Sequence, residues 1–204
     1  MEERRWMLED ARLVANVVIR WLGEACERIE VAGSVRREKP EVKDIELVYI
    51  PKMVTGQATL FGDEIQVSAM EERLQTLVRS QKLMWDELTP RHGEKYQRLI
   101  HVNSGMVIEL FRADVSNWGA IMAIRTGPED YIKMVVSHSW QNGVMPVDMA
   151  QRDGYLWRHG VVVPCESEVQ YFEEIGIPWW SPADRHAGRL SLWAKSQATV
   201  ARFE

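Results

Sequence analysis

Apolar side chains at Leu13, Val14, Val17, Val18, Trp21 and Leu22 recur at the spacing of one helix face. Glu2, Glu3, Glu9 and Asp10 gather at the end where the helix dipole stabilises negative charge. The pattern predicts an amphipathic helix over 8–26. Residues 28–32 read as a short strand closed by Gly33-Ser34, a pair that can turn tightly and begin a helix over 35–38, which Pro40 prevents from running on. Residues 44–50 give the clearest strand: beyond Asp44 and Glu46 it is apolar on both faces, as a covered central strand is, and Pro51 closes it. Residues 52–66, with Thr55-Gly56 and Phe61-Gly62-Asp63, keep no period and read as an excursion or ragged hairpin. A helix over 70–79 with Leu74, Leu77 and Val78 inward follows, then strands over 96–102 and 106–111 joined by the turn residues Asn103-Ser104-Gly105.

Between 113 and 118 the pattern changes from strand-rich to helix-rich, which divides the chain into domains over 1–115 and 116–204. The second domain should hold a helix over 118–125, a Thr126-Gly127-Pro128 turn, and a helix from 129 to 140 or 141. Short extended pieces follow at 144–149 and 155–157. A helix over 167–175 has a capping box in Ser167 and Gln170 and is ended by Gly176. From 187 onward a tail has room for one more helix.

Composition narrows the function without deciding it. The chain has 204 residues with 25 Lys plus Arg against 30 Asp plus Glu, a net charge of −5, so any nucleic-acid contact must come from a local basic surface rather than from the whole molecule. Cys26 and Cys165 stand far apart and in no Cys-x-x-Cys pair, which argues against a disulfide scaffold or a thiolate zinc site and suits a reducing, intracellular setting. No apolar run has the length of a membrane span, so no membrane partner is expected and a cytoplasmic protein is.

Asp44 and Glu46 lie two apart on a strand, so both carboxylates leave the same face while Ile45 and Leu47 leave the other. Such a pair is costly unless a divalent cation neutralises it or the strand end is exposed. Glu109 repeats the situation as the one carboxylate in an apolar strand. If the two strands are neighbours, three carboxylates converge as Mg²⁺ or Mn²⁺ requires. Upstream, Gly33-Ser34-Val35-Arg36-Arg37 leaves a strand and turns, so its backbone N–H groups, the Ser34 hydroxyl and Arg37 or Arg36 can hold a phosphate.

Val31-Ala32-Gly33-Ser34-Val35-Arg36-Arg37 through Asp44-Ile45-Glu46-Leu47 resembles the signature of the polymerase-beta-type nucleotidyltransferases, in particular the family X DNA polymerases. The likeness continues in order through Gly93-Glu94-Lys95-Tyr96, Val107-Ile108-Glu109-Leu110-Phe111, Trp118-Gly119-Ala120 and Thr126-Gly127-Pro128 to the segment from Glu166 to Arg185. It implies an α/β (α+β) fold: a palm with a mixed sheet over 1–115, then a small α+β domain of thumb or fingers type over 116–204 that closes on the nucleotide. It implies two Mg²⁺ or Mn²⁺ ions on the catalytic carboxylates Asp44, Glu46 and Glu109. Gly33, Ser34 and Arg37 would hold the triphosphate, Thr126 and Gly127 would lie beside the sugar, and Lys95 would face the DNA backbone. The implied partners are a dNTP and primer-template or gapped DNA. The implied activity is that of a minimal, monomeric, template-directed polymerase for gap filling or repair. Template-independent terminal transfer, transfer to RNA or a small molecule, and nucleotide or DNA-end binding without catalysis are the alternatives.

Several positions depart from the family pattern. Two of the three acids are Glu where the family usually has Asp, Lys43 stands where Gly is common, and Ile124-Arg125 replaces an aromatic pair. Pro128 replaces Ser, and an X-Pro bond lowers the cost of a cis peptide, so a cis Gly127-Pro128 bond is expected. Lys82, Arg91, His92, Lys95 and Arg98 form a basic-leaning stretch that could grip DNA. Trp179-Trp180 is expected in core or inter-domain packing.

Overall fold

The computed structural model describes residues 4–57, 64–87 and 93–200 of the chain. The turn at Phe61-Gly62-Asp63 and the basic residues Arg91 and His92 lie outside the described residues. The fold is mixed α and β, in two compact units: Met1–Val35 with Pro40–Asp114, and Arg36–Lys39 with Val115–Glu204. The short run Arg36–Lys39 therefore belongs with the second unit, although its place in the sequence suggests the first.

In the first unit β1 (Trp6–Met7) leads into α1 (Leu8–Leu22), followed by β2 (Cys26–Val31), the single turn α2 (Gly33–Arg36), β3 (Glu41–Val42) and β4 (Asp44–Pro51). A hairpin of β5 (Met53–Gln57) and β6 (Glu64–Ser68) precedes α3 (Ala69–Arg79), β7 (Leu83–Trp85), β8 (Tyr96–His101) and β9 (Val107–Arg112). The main sheet has the order β2-β4-β9-β8-β7, parallel only between β4 and β9. Helix α1 ends four residues before the expected 26, because the chain at Cys26 is already pairing with Pro51 in the β2–β4 ladder. Ser68 caps α3 by accepting a hydrogen bond from the Met70 amide.

Strand alternation explains how this sheet carries both a core and a site. Ile45, Leu47 and Tyr49 of β4, Ile108 and Leu110 of β9, and Leu99 of β8 pack with Ala11, Ala15, Val18 and Leu22 of α1 and with Met70, Leu74 and Leu77 of α3. The intervening positions, among them Asp44, Glu46, Arg98 and Glu109, must leave the opposite face. Fully burying each aliphatic side chain contributes about 1.5–3 kcal/mol, so the helix-covered face sets the register and the charged face follows.

The second unit contains α4 (Trp118–Thr126), α5 (Glu129–Val136), the meander β10 (Met149–Arg152), β11 (Tyr155–Arg158) and β12 (Val161–Val163), then α6 (Glu168–Glu174) and α7 (Ala187–Val200). Helix α5 stops at Val136 rather than near 140. Val144 and Met145 donate to the carbonyls of Met134 and Ser137, which a longer helix would have used, and residues Ser139–Gln141 form a separate 3-10 turn. Ser167 caps α6 as expected, accepting from the Gln170 amide, while Gln170 Oε1 accepts from Glu166 N. Trp180 is partly buried and packs against the second unit's core, edge-on to Tyr131 and Trp193, whereas Trp179 is exposed, against the expectation of packing for both. The Gly127-Pro128 bond is trans, against the expectation of a cis bond. Gly127 (φ −74°, ψ 153°) and Pro128 (φ −62°, ψ 154°) are both extended and bring the chain directly into α5, so no reversal is needed there.

Candidate functional site

Strands β4 and β9 are parallel neighbours, with Glu46 opposite Glu109 and Asp44 opposite Val107. All three acids thus stand on one face of the sheet, at the start of β4 and the middle of β9. Gly33, the first residue of α2 just past β2, sits against this row. Its φ of +61° is a left-handed conformation, and a Cβ there would overlap the Glu46 carboxylate. Glycine takes this backbone without strain and lets the Glu46 carboxylate rest against the turn.

Glu109 is engaged from the β8 side. Arg98, its partner in the β8–β9 ladder, donates Nη1 to Glu109 Oε1 at 2.5 Å, and the Tyr96 hydroxyl donates to the same oxygen at 2.5 Å. Arg98 also donates Nε to Asp86 Oδ2 at 2.6 Å, and Asp86, just past β7, is 4% exposed. Burial, and then the hydrogen bond to Glu109, push the Tyr96 phenol up to about 12, so it remains a donor at neutral pH. The guanidinium is pushed further above its ordinary value by its bonds to Asp86, Tyr96 and Glu109, which outweigh desolvation.

The donor set suits a hard divalent cation in kind and in strand placement: three carboxylates with Glu46 and Glu109 in register. Their side chains do not converge, however. Among the described residues no group of three or more His, Cys, Asp or Glu is gathered as metal ligands, because Glu109 is held by Arg98 and Tyr96. The expectation of three converging carboxylates is corrected on this point. Arg98, expected in a DNA-gripping stretch, instead faces inward between two acids. Lys95 is exposed, on the approach to β8.

The basic end of the Gly33-to-Arg37 motif belongs to the second unit. Arg36 donates to Thr126 Oγ1 at 2.7 Å and to Glu168 Oε2 at 2.5 Å, and Arg37 donates to the Thr126 carbonyl at 2.7 Å. Two of the expected nucleotide-binding residues, Arg37 and Thr126, are therefore brought together. Glu168 is gripped from its other side by Arg185, whose side chain is wholly buried and donates Nη1 to Glu168 Oε1 at 2.6 Å. Burial alone would raise the Glu168 carboxyl, but the hydrogen bonds from Arg36 and Arg185 overcome this and hold it below its usual range. Gly119 sits beside this cluster's helix: its amide donates to the Cys165 carbonyl at 2.6 Å, and a Cβ would fall on the Ser167 carbonyl.

Arg98, Asp86, Tyr96, Glu168 and Arg185 were not legible as a site from the sequence, apart from Arg98 as one member of a basic run. The strand order that joins Glu46, Glu109 and Arg98 in one row appears nowhere in local sequence. Both thiols are buried and free, pushed by burial to about 12 at Cys26 and about 11 at Cys165, and neither is poised as a nucleophile. Among the described residues no helix is long and apolar enough to cross a membrane. Compared with protein-family models and with curated proteins, the chain gives no match.

Proposed function

We propose that this chain is a metal-dependent nucleotidyltransferase, a minimal template-directed DNA polymerase that transfers dNMP from a dNTP to a primer 3′-hydroxyl with release of pyrophosphate. The observation that carries the reading is the register of β4 and β9, which sets Asp44, Glu46 and Glu109 on one face beside a left-handed turn at Gly33. The order of the motifs along the chain supports it independently. Asp44, Glu46 and Glu109 would hold two Mg²⁺ or Mn²⁺ ions, whose chemistry is to acidify the 3′-hydroxyl and offset the charge of the triphosphate. Ser34 and the Gly33 turn would bind phosphate oxygens, with Arg37, Thr126 and Gly127 assigned to the nucleotide. Glu109, once released from Arg98, is the carboxylate that would accept the proton of the attacking hydroxyl. Lys95 would contribute a phosphate contact to primer-template or gapped DNA.

A second reading has an observation of its own. Glu109 is engaged by both Arg98 and Tyr96, which occupies one of its oxygens and favours a chain that binds nucleotide or DNA ends without reacting. Labelled-primer extension separates the two. Primer alone, primer on template and a one-nucleotide gap are each offered dNTPs and NTPs with Mg²⁺ or Mn²⁺, alongside Asp44→Ala. Template-dictated addition that falls by a hundredfold or more in Asp44→Ala, on the order expected when reacting groups lose their alignment, establishes the polymerase. Untemplated addition establishes terminal transfer. No addition with retained nucleotide binding favours a site that binds without reacting, or one whose acceptor is not DNA.

A further inference from the structure

The helix-covered face of the first unit's sheet carries a cavity of its own, away from the acid row. Tyr49 and Arg112 are in register on the parallel pair β4–β9, Gln97 of β8 lies opposite Leu110, and Trp85 of β7 lies opposite Leu99. Strand alternation therefore sets all four on the side of Leu99 and Leu110, opposite to Asp44, Glu46 and Glu109. With Met70 and Leu74 of α3 they line a cavity of about 330 Å³. That is the lower end of the range for small-molecule sites, about 300–1,000 Å³. Trp85, Met70 and Leu74 make its walls apolar, and its polar groups are held loosely. The Tyr49 hydroxyl, on a residue 2% exposed, donates to Gln97 Oε1 at 3.5 Å, a length at which a hydrogen bond contributes little. Burial pushes this phenol up to about 12, so it stays a neutral donor at pH 7. Arg112 donates Nη1 to Glu94, whose side chain is 77% exposed, so this rim pair is weak and open to exchange.

We propose that this cavity binds a small aromatic carboxylate, its ring against Trp85, Met70 and Leu74 and its carboxylate on the Arg112 guanidinium and the Tyr49 hydroxyl. The inference goes beyond the nucleotidyltransferase reading and does not depend on it. An arginine fork matches a planar carboxylate with two parallel donors. Releasing Glu94 to water costs little, because its side chain is already mostly solvated. A cavity of this size takes one compact ring system rather than an extended chain. The charge of the ligand follows from the acids at the mouth. Glu71 and Glu94 also line the cavity, so a single negative charge is matched by Arg112, whereas a phosphate dianion would be repelled by both. An aromatic cation would meet the guanidinium instead.

The test is a titration of the isotopically labelled full chain with indole-3-acetate, without metal or nucleotide, followed by two-dimensional amide NMR. Kd should lie at or below about 1 mM, the order expected for a ligand of this size. The shifts should gather at Tyr49, Met70, Leu74, Gln97 and Arg112. Indole-3-acetamide has the same shape without the charge and should bind roughly tenfold more weakly, the order of one charge-assisted hydrogen bond. Phenyl phosphate should bind more weakly than the acid. Arg112→Lys keeps the positive charge and loses the fork, so it should weaken indole-3-acetate roughly tenfold, whereas general attraction between charges would survive it. Gln97→Glu, of the same shape, places an acid beside the bound carboxylate and should abolish binding of the acid while leaving that of the amide. Shifts confined to the cavity, with a preference for acid over amide that Arg112→Lys removes, support the proposal. No shift at tenfold above that Kd, shifts gathered elsewhere, equal binding of acid and amide, or undiminished acid binding in Arg112→Lys overturns it. Phenyl phosphate bound more tightly than the acid overturns the ligand class.

Discussion

Glu109 and Glu168 are both carboxylates gripped by arginine, but the charge balance around them is opposite. At Glu168 two guanidinia serve one carboxylate, from Arg36 and the fully buried Arg185. At Glu109 one guanidinium serves two carboxylates, and Asp44 and Glu46 stand beside them on the neighbouring strand. The first arrangement gives the acid more cationic partners than it needs. The second shares one guanidinium between two acids. Burial agrees with this contrast, since the side chain of Arg185 is 0% exposed and that of Arg98 is 24% exposed. The same pair of side-chain types therefore makes a fastening in one unit and a candidate reaction surface in the other.

The largest effect should come from breaking the fastening. Glu168→Ala leaves Arg185 buried without its carboxylate and should cost about 3–5 kcal/mol in chemical denaturation, whereas Asp44→Ala should change stability by less than about 1 kcal/mol while removing activity. Equal stability losses in the two variants would erase the distinction between them. Next in size is Gly33→Ala. It forces a Cβ into a left-handed backbone and against the Glu46 carboxylate, so about 1–3 kcal/mol of stability and the nucleotide response should fall together. A nucleotide-binding titration beside a thermal melt checks it, and a loss confined to stability would detach the turn from the site.

The smallest effect concerns a group on the helix-covered face. His101, stacked on Trp21 and hydrogen-bonded through Nδ1 to Ser104, is held below its ordinary 6.5 by burial. The unfolded chain therefore takes up the proton more readily, and stability should be full above pH 6.5 and decline as the pH falls below it. His101→Asn should flatten that part of the denaturation profile, and an unaltered slope would assign the acid sensitivity to other groups.

Asp44, Glu46 and Glu109 stood out in the sequence because an apolar strand with one or two acids is conspicuous wherever it is placed. Their sharing of a face needed only the two-residue repeat of a strand, and Gly33 was visible as a turn between strand and helix. Other features were out of reach of the local pattern. Leu83–Trp85 is too short a run to be read as a strand, and it is made one by pairing with β8. The early end of α5 depends on amides of Val144 and Met145 arriving from beyond the turn. Arg36 and Arg37 looked alike in the phosphate motif, and only the second unit shows what each is bonded to.

Sequence alone determined which residues carry charge on otherwise apolar strands, where most helices begin, and the order of motifs from Gly33 to Arg185. These follow from local periodicity and backbone preference, which act over a few residues. Tertiary structure decided that β9 lies parallel to β4, that Arg98 rather than a third acid's neighbours receives Glu109, and that Arg36–Lys39 joins the second unit. Those outcomes depend on pairings between residues tens of positions apart, which are selected by burying a common apolar face and by matching charges once it is buried.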